Sequence, residues 1–471
     1  VEVNKVFISL KIRKRSLLFM LFFVWLLFIK PEFSSNLNFE LIGKFLVTYF
    51  IVVFLFLYIQ NKNNLNWFRI DFLFLIGFSI VHFQWPTMFA ISGISPENIS
   101  RVWVNSNYVN FGVWLSTIGI VAWMIGYSWF RTAEMKLTVD FKFIINKLLI
   151  LAYLSFFLFV VLAGKDFLSG GVYKGTGGSA AGEGISGYVR LVFTTSVILL
   201  TILEVLAKSK NYDGSLIKWI FSLNKFYLLL SLTYILLFLS VGDRGEPIAL
   251  GLLGLVLIGT YVRPVKLREF TALFFVGAIF MTLISLGRSE STGFGLLSEG
   301  FSKFEFQSGY YITLELANSV RTLYMALSNI PENISYFYGQ LWIGDILSPF
   351  PFAQSFLVSL SNIKAYEMGS ASFITYLTFG ENPESGEGTS LIGDIYLNFG
   401  STGVVFFMFA FGLFLKKVTN KAYQGSHIRW IIVFGVLASL SFYMSRSGLF
   451  VPTRPIIWAL LFFLLIETKK S

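Results

Sequence analysis

Long apolar runs, nearly free of charge, recur from Leu17 to Ile466, and no other feature constrains folding as strongly. A membrane-spanning helix needs roughly 20 mostly apolar residues, and about 17 suffice when flanking residues snorkel to the interface. Twelve runs meet that need, near 16–29, 41–60, 72–91, 109–130, 143–163, 188–207, 226–241, 247–262, 270–287, 391–415, 430–445 and 450–466. Composition agrees: only 13% of the 471 residues are charged, against about 25% in soluble domains, and the mean hydropathy is +0.70. A β-barrel is excluded, because its strands alternate apolar and polar positions over about ten residues. The chain is expected to be an all-α, polytopic integral membrane protein with about 12 transmembrane helices.

Charge distribution orients it. The net charge is +11, and most of the 37 basic residues fall in the N-terminus, the C-terminus and alternate short connections, the pattern of the positive-inside rule. The excess is therefore a topology signal with both termini inside, and it does not point to nucleic acid. The stretch 288–390 holds Arg288, Lys303, Arg321 and Lys364 against ten acidic residues and belongs outside. Three parts follow: spans one to nine in 1–287, a large outer cap in 288–390, and spans ten to twelve in 391–471. The basic and apolar N-terminus has no small-residue cleavage site after Ile29 and reads as a retained first span. Cysteine is absent and only His82 and His427 occur, so neither a thiolate nor a zinc centre is expected.

The turn "GDRGE", residues 242–246, sits between spans seven and eight on the outer side. Arg288 follows span nine on that side, and Arg446 and Arg454 bracket the turn between the last two spans. Topology alone depletes arginine from outer loops, and intramembrane arginines default to a functional role with a partner. The plainer reading pairs Arg244 with Asp243 or Glu246 and Arg288 with Glu290, but Arg446 and Arg454 have no acidic neighbour in sequence. Guanidinium forks bind phosphate oxygens bidentately and stay charged. The anions available at such a depth are lipid phosphates, including sugar-bearing polyprenyl diphosphates. Arg190, at the end of a Gly-rich outer loop that lacks P-loop spacing, is a weaker addition to the set.

Within the outer segment, "YYITLELANSVRTLYMALSNIP" places Ile312, Leu316, Val320, Leu323 and Leu327 on one helical face. "YFYGQLWIGDILSPFPFAQSF" is aromatic and Pro-broken, a composition suited to the headgroup level. Together they form a candidate cap over the outer mouth of the bundle. It ends in "GEGTSLIGDIYLNFGSTG", which carries Asp394 a few residues into span ten, near Tyr396 and Asn398.

That stretch, Glu387 to Gly403, with the Arg244 turn, the arginine-bearing final pair of spans and the large outer loop before span ten, resembles the O-antigen polymerase family, the Wzy-type polymerases of lipid-linked oligosaccharide repeat units. The resemblance covers the whole chain in hydropathy, and its specific part is those two stretches. It implies a GT-C-like, metal-independent glycosyltransferase of the bacterial cytoplasmic (inner) membrane, acting on its outer face. Its substrates would be undecaprenyl-diphosphate-linked oligosaccharides as donor and acceptor, and its product a surface polysaccharide. No cofactor is implied, while a partner that sets chain length is. No two aspartates here are separated by one residue, so the metal-binding "DxD" pattern is absent.

On this reading Arg244, Arg288, Arg446 and Arg454 bind the diphosphate and stabilise its developing charge. A carboxylate would take the proton of the attacking hydroxyl. Asp394 is preferred, with Asp243, Glu246 and Glu290 as the other candidates and His82 a base by chemistry alone. An O-antigen ligase shares the arginine logic, but that family's outer-loop histidine is missing from 288–390. A flippase or secondary transporter would be expected to show two related halves, and none is visible. A membrane scaffold would not need outer arginines.

Overall fold

The computed structural model describes residues 14–61, 66–92, 105–133, 145–168, 184–209, 212, 215–287, 291, 293, 295–304, 313–383, 386–425 and 427–467. Within them the chain is helical and contains no strand. Twelve apolar helices are labelled here: α1 (Lys14–Phe28), α2 (Phe39–Asn61), α3 (Ile70–Ser92), α4 (Val109–Ser128), α5 (Ile145–Leu168), α6 (Gly184–Ala207), α7 (Lys225–Ser240), α8 (Gly245–Leu257), α9 (Leu267–Gly287), α10 (Leu391–Gln424), α11 (Ile428–Leu440) and α12 (Thr453–Ile466). Among the described residues, eight helices are long and apolar enough to cross a membrane: α2 to α6, α8 with its continuation through Val262, α9 and α10. The helices α1, α7, α11 and α12 are apolar but shorter. Lipid leaves no partner for an unpaired peptide group, so apolar runs of this length satisfy their backbone internally as helices.

The core is built around α4, every residue of which is buried. It lies against α10 at backbone contact. A Cβ on Gly126 would come 2.1 Å from the Phe409 carbonyl oxygen, and one on Gly412 would come 2.2 Å from that of Trp123. Small residues at both sides of a crossing let helices approach this closely, the usual means of helix association in lipid. The connection between α1 and α2 is pinned to α4 by Asn110, which donates to Ser35 Oγ (3.0 Å) and the Asn36 carbonyl (2.8 Å) and accepts from the Asn38 N–H (3.1 Å). The periphery is the inverse. Phe54, Val161, Leu232 and Val276, on α2, α5, α7 and α9, are exposed, as lipid-facing residues are.

Charged groups gather at the two ends. At one end Arg69 and Asp71 form a buried pair at 3.0 Å, Arg263 meets Glu269 at 2.6 Å, and Lys416 reaches Thr132 at 2.7 Å. The opposite end holds the segment between α9 and α10, expected from sequence to be the outer one, and the turn between α11 and α12. The segment's amphipathic stretch folds as Leu314–Ala317, a 3-10 turn Asn318–Val320 and Arg321–Asn329. Its Leu316, Val320, Leu323 and Leu327 are all buried; Ile312 lies outside the described residues. The apolar stripe therefore packs into the bundle, with Trp85 of α3 donating to Asn318 Oδ1 at 3.0 Å.

Two breaks prepare the site. α10 is interrupted at Gly400 (φ 64°), and the outer segment fills the gap: the N–H groups of Phe337 and Tyr338 donate to the carbonyls of Leu397 (3.1 Å) and Asn398 (2.9 Å). α11 stops at Leu440, short of the run read from sequence, because the chain turns onto α3. A Cβ on Gly77 would sit 2.0 Å from the Phe442 carbonyl oxygen. Irregular backbone survives beside apolar helices where protein covers it, and Ser441, Met444 and Ser445 are buried.

Candidate functional site

A groove of about 560 Å³ runs between α8 and α9. Ile248, Leu252 and Leu255 form one wall, and Leu273, Phe274 and Ala278 the other. Phe68 and Phe270 close its foot, and residues 313–318 and 442–446 frame its mouth. From Phe270 to Ser285 the α9 wall rises about 22 Å at roughly 1.5 Å per residue. The walls stand well apart: a Cβ on Gly251 or Gly277 would meet nothing within 4 Å. Leu273 is 42% exposed, so the groove opens sideways onto the apolar surface of the bundle. Its body is apolar, and its charges lie at the mouth.

The GDRGE turn explains how Arg244 comes to face that mouth. Gly242 takes φ 84°, a left-handed conformation suited to glycine. Asp243 Oδ1 then accepts the Gly245 N–H at 3.0 Å. Both acids pair with a different arginine from the one expected. Arg190, on α6, donates to Asp243 Oδ2 at 2.8 Å and to Glu246 Oε1 at 3.2 Å, and Tyr234 donates to Glu246 Oε2 at 2.5 Å. Asp243 and Glu246 thus face α6 and line no part of the groove. Arg244 is left to point the other way. It forms an ion pair with Glu315 and donates Nη1 to the Met281 carbonyl at 3.1 Å. The second Glu315 oxygen accepts from Ser285 Oγ at 2.5 Å.

Arg446 lines the same mouth beside Tyr443, brought there by the turn seated on Gly77. Arg321 stands close enough that, after burial itself, the Arg446 charge is what holds its guanidinium below the usual range. Arg321 is paired with Glu387. The mouth therefore holds Arg244 and Arg446 with Glu315 as counter-charge, while Arg321 with its partner Glu387 stands near Arg446 and does not line the groove. Like charges held together in a partly dehydrated place favour an anion that can bridge them.

The other candidates lie elsewhere. Asp394 is buried at the start of α10 and does not line the groove. Its Oδ2 accepts Trp342 Nε1 (2.9 Å) and the Leu449 N–H (2.8 Å), and its Oδ1 accepts the Ser370 hydroxyl. Both oxygens are thus committed to holding the arginine-bearing turn against the outer segment. Across Gly448 lies Asp345: a Cβ on that glycine would be 3.0 Å from Asp345 Oδ2 and 3.5 Å from Asp394 Oδ1. Burial, and secondarily the Asp394 charge, push the Asp345 carboxyl up to about 7. Arg454, in the first turn of α12, lies 5.9 Å from the Tyr188 ring centroid and away from the groove, with its buried Nε unpartnered among the described residues. His82 is buried between α3 and α4, its Nδ1 3.3 Å from Ser116 Oγ, and does not line the groove. Arg288 and Glu290 lie outside the described residues.

Of the expected residues, the groove mouth brings together Arg244 and Arg446. Sequence reasoning missed Glu315, Arg321 and Tyr443. Glu315 and Arg321 sit in the stretch read for its apolar stripe, and the signal available there was a basic residue in an acidic outer segment. No protein-family model matches the chain, and neither a curated protein nor a solved structure shows significant similarity to it.

Proposed function

We propose that this chain is a metal-independent glycosyltransferase that polymerises undecaprenyl-diphosphate-linked repeat units on the outer face of a bacterial cytoplasmic membrane. On this reading all twelve apolar helices span, both termini are inside, and the fold is GT-C-like. The observation that carries it is the groove. An apolar slot about 22 Å deep by the helical rise, open at the side and ending in arginines, suits one class of ligand: a long hydrocarbon chain with an anionic head. The hydrocarbon would lie along α8 and α9, and the diphosphate would meet Arg244 and Arg446, with Arg321 near. Charge appearing on the leaving diphosphate is then met by donors already in place.

The test is reconstitution in liposomes with an undecaprenyl-diphosphate-linked repeat unit as sole substrate and resolution of the products by size. A ladder spaced by one repeat, with undecaprenyl diphosphate released, is the expected result. Transfer only after addition of a lipid A acceptor makes it a ligase, and lipid movement without a new glycosidic bond makes it a flippase. In the active system Arg244→Lys is expected to lose nearly as much activity as Arg244→Ala, because lysine keeps the charge without the bidentate fork. Full activity in the lysine variant refutes diphosphate recognition by that fork.

A further inference from the structure

We propose that Glu315 is the general base of this site, and that it becomes available when an anionic head group takes its place on Arg244. The inference rests on the glycosyl-transfer reading above and assigns a role that none of the acids expected from the sequence fills among the described residues. A base must come within hydrogen-bond reach of the hydroxyl it deprotonates, so position decides before basicity does. Asp243 and Glu246 are turned to Arg190. Asp394 is buried with both oxygens engaged. Glu315 is the one acid among the described residues that lines the groove, and it lies at the end where the arginines are.

Its present bonding describes an exchange. Arg244 has its guanidinium divided between Glu315 and the Met281 carbonyl. A diphosphate that binds Arg244 with two oxygens must displace the carboxylate, which sits on the same fork. The released Glu315 side chain stays tethered at the mouth by the helix Leu314–Ala317 and within reach of Ser285, beside the bond to be broken. The acceptor hydroxyl oxygen then attacks the anomeric carbon, and the bond from that carbon to the diphosphate oxygen breaks. The electron pair leaves on the diphosphate toward Arg244 and Arg446, and the hydroxyl proton passes to Glu315. The Glu315 side chain is 38% exposed, so water can take the proton away and reset the pair. Binding of the donor is thereby a condition for freeing the base, which protects the donor from attack before it is seated.

The test uses Glu315→Gln and Glu315→Asp in the full-length protein in nanodiscs, with undecaprenyl diphosphate as the binding probe and the lipid-linked repeat unit for turnover. Glutamine removes the competing charge, so binding of undecaprenyl diphosphate is expected to tighten about two- to fivefold, the worth of a partly exposed ion pair. Single-turnover transfer is expected to fall by about 10²- to 10⁴-fold and to lose the rising acid limb of its pH profile. Aspartate keeps a carboxylate one methylene shorter and is expected to retain transfer above the glutamine variant. Weaker probe binding by Glu315→Gln overturns the exchange. Transfer within tenfold of wild type, or equal loss in both variants, overturns the base. Wild-type protein that binds the probe but transfers nothing overturns the glycosyl-transfer reading, and the base with it, whereas an active wild type with an unaffected glutamine variant removes the base alone.

Discussion

Asp394 offers a substitution series in which alanine and asparagine should behave very differently. Alanine leaves Trp342 Nε1, the Leu449 N–H and the Ser370 hydroxyl without their acceptor, in surroundings where Trp342 and Ser370 are buried. Each buried donor left unpaired costs about 1–3 kcal/mol, and the hydroxyl can turn elsewhere, so the loss is on the order of 4 kcal/mol. Asparagine is a milder change for a geometric reason. Trp342 and Leu449 both donate to the same oxygen, Oδ2, so a single amide oxygen in that position satisfies both. Its NH₂ faces Ser370, whose hydroxyl rotates to accept. Only the charge assistance is lost, about 1 kcal/mol. The assay is the fraction of detergent-solubilised protein that stays monodisperse on size exclusion after stepped heating, followed by turnover of each variant in liposomes. Retention is expected in the order wild type, Asn, Ala, with asparagine keeping most of its turnover, because Asp394 positions the Arg446 turn and does not face the groove. Equal instability of the two variants would refute the hydrogen-bond reasoning. A stable asparagine variant with turnover lost a hundredfold would return Asp394 to the chemistry.

Two further outcomes follow from the packing and from the Asp345 carboxyl. Gly412→Ala places a methyl 2.2 Å from the Trp123 carbonyl oxygen, forcing α4 and α10 apart at a cost of about 1–3 kcal/mol. Gly254→Ala, where a Cβ meets nothing within 4 Å, should leave thermal stability unchanged or slightly raised, and equal effects would refute the close crossing. Asp345 holds its proton to about pH 7 in the folded chain against an ordinary value of 3.8. Between those values the folded state binds more protons than the unfolded one, so the contribution is whole below about pH 4 and is lost as pH rises to about 7. Asp345→Asn should therefore gain stability over wild type more at pH 8 than at pH 5, and a pH-independent difference between the two melting curves would refute the assignment.

Legibility from sequence differed by element. The apolar runs appear as helices at nearly the positions read, because helix formation in a low-dielectric medium depends on local backbone satisfaction. The runs near 430–445 and 450–466 became shorter helices, α11 and α12, because the turn between them is set by contact with α3 and Asp394, partners far away in the chain. The charged turn at 242–246 was recognisable as unusual from its position between apolar runs. Its pairing was not: Arg190, 53 residues from Asp243, takes both acids, and Glu315, 71 residues from Arg244, takes the arginine.

The sequence by itself determined the class of molecule, the apolar helices and the placing of arginines in or beside the connections between them, since each follows from composition and short-range periodicity. Only the tertiary structure decided which arginines share a site. Ion pairing depends on distances between helices, and those are set by the steric contacts of Gly77, Gly126 and Gly412, which carry no charge and give no local signal of the partner they will meet. For the same reason the carboxylate at the groove mouth was visible only once Arg244 had a neighbour.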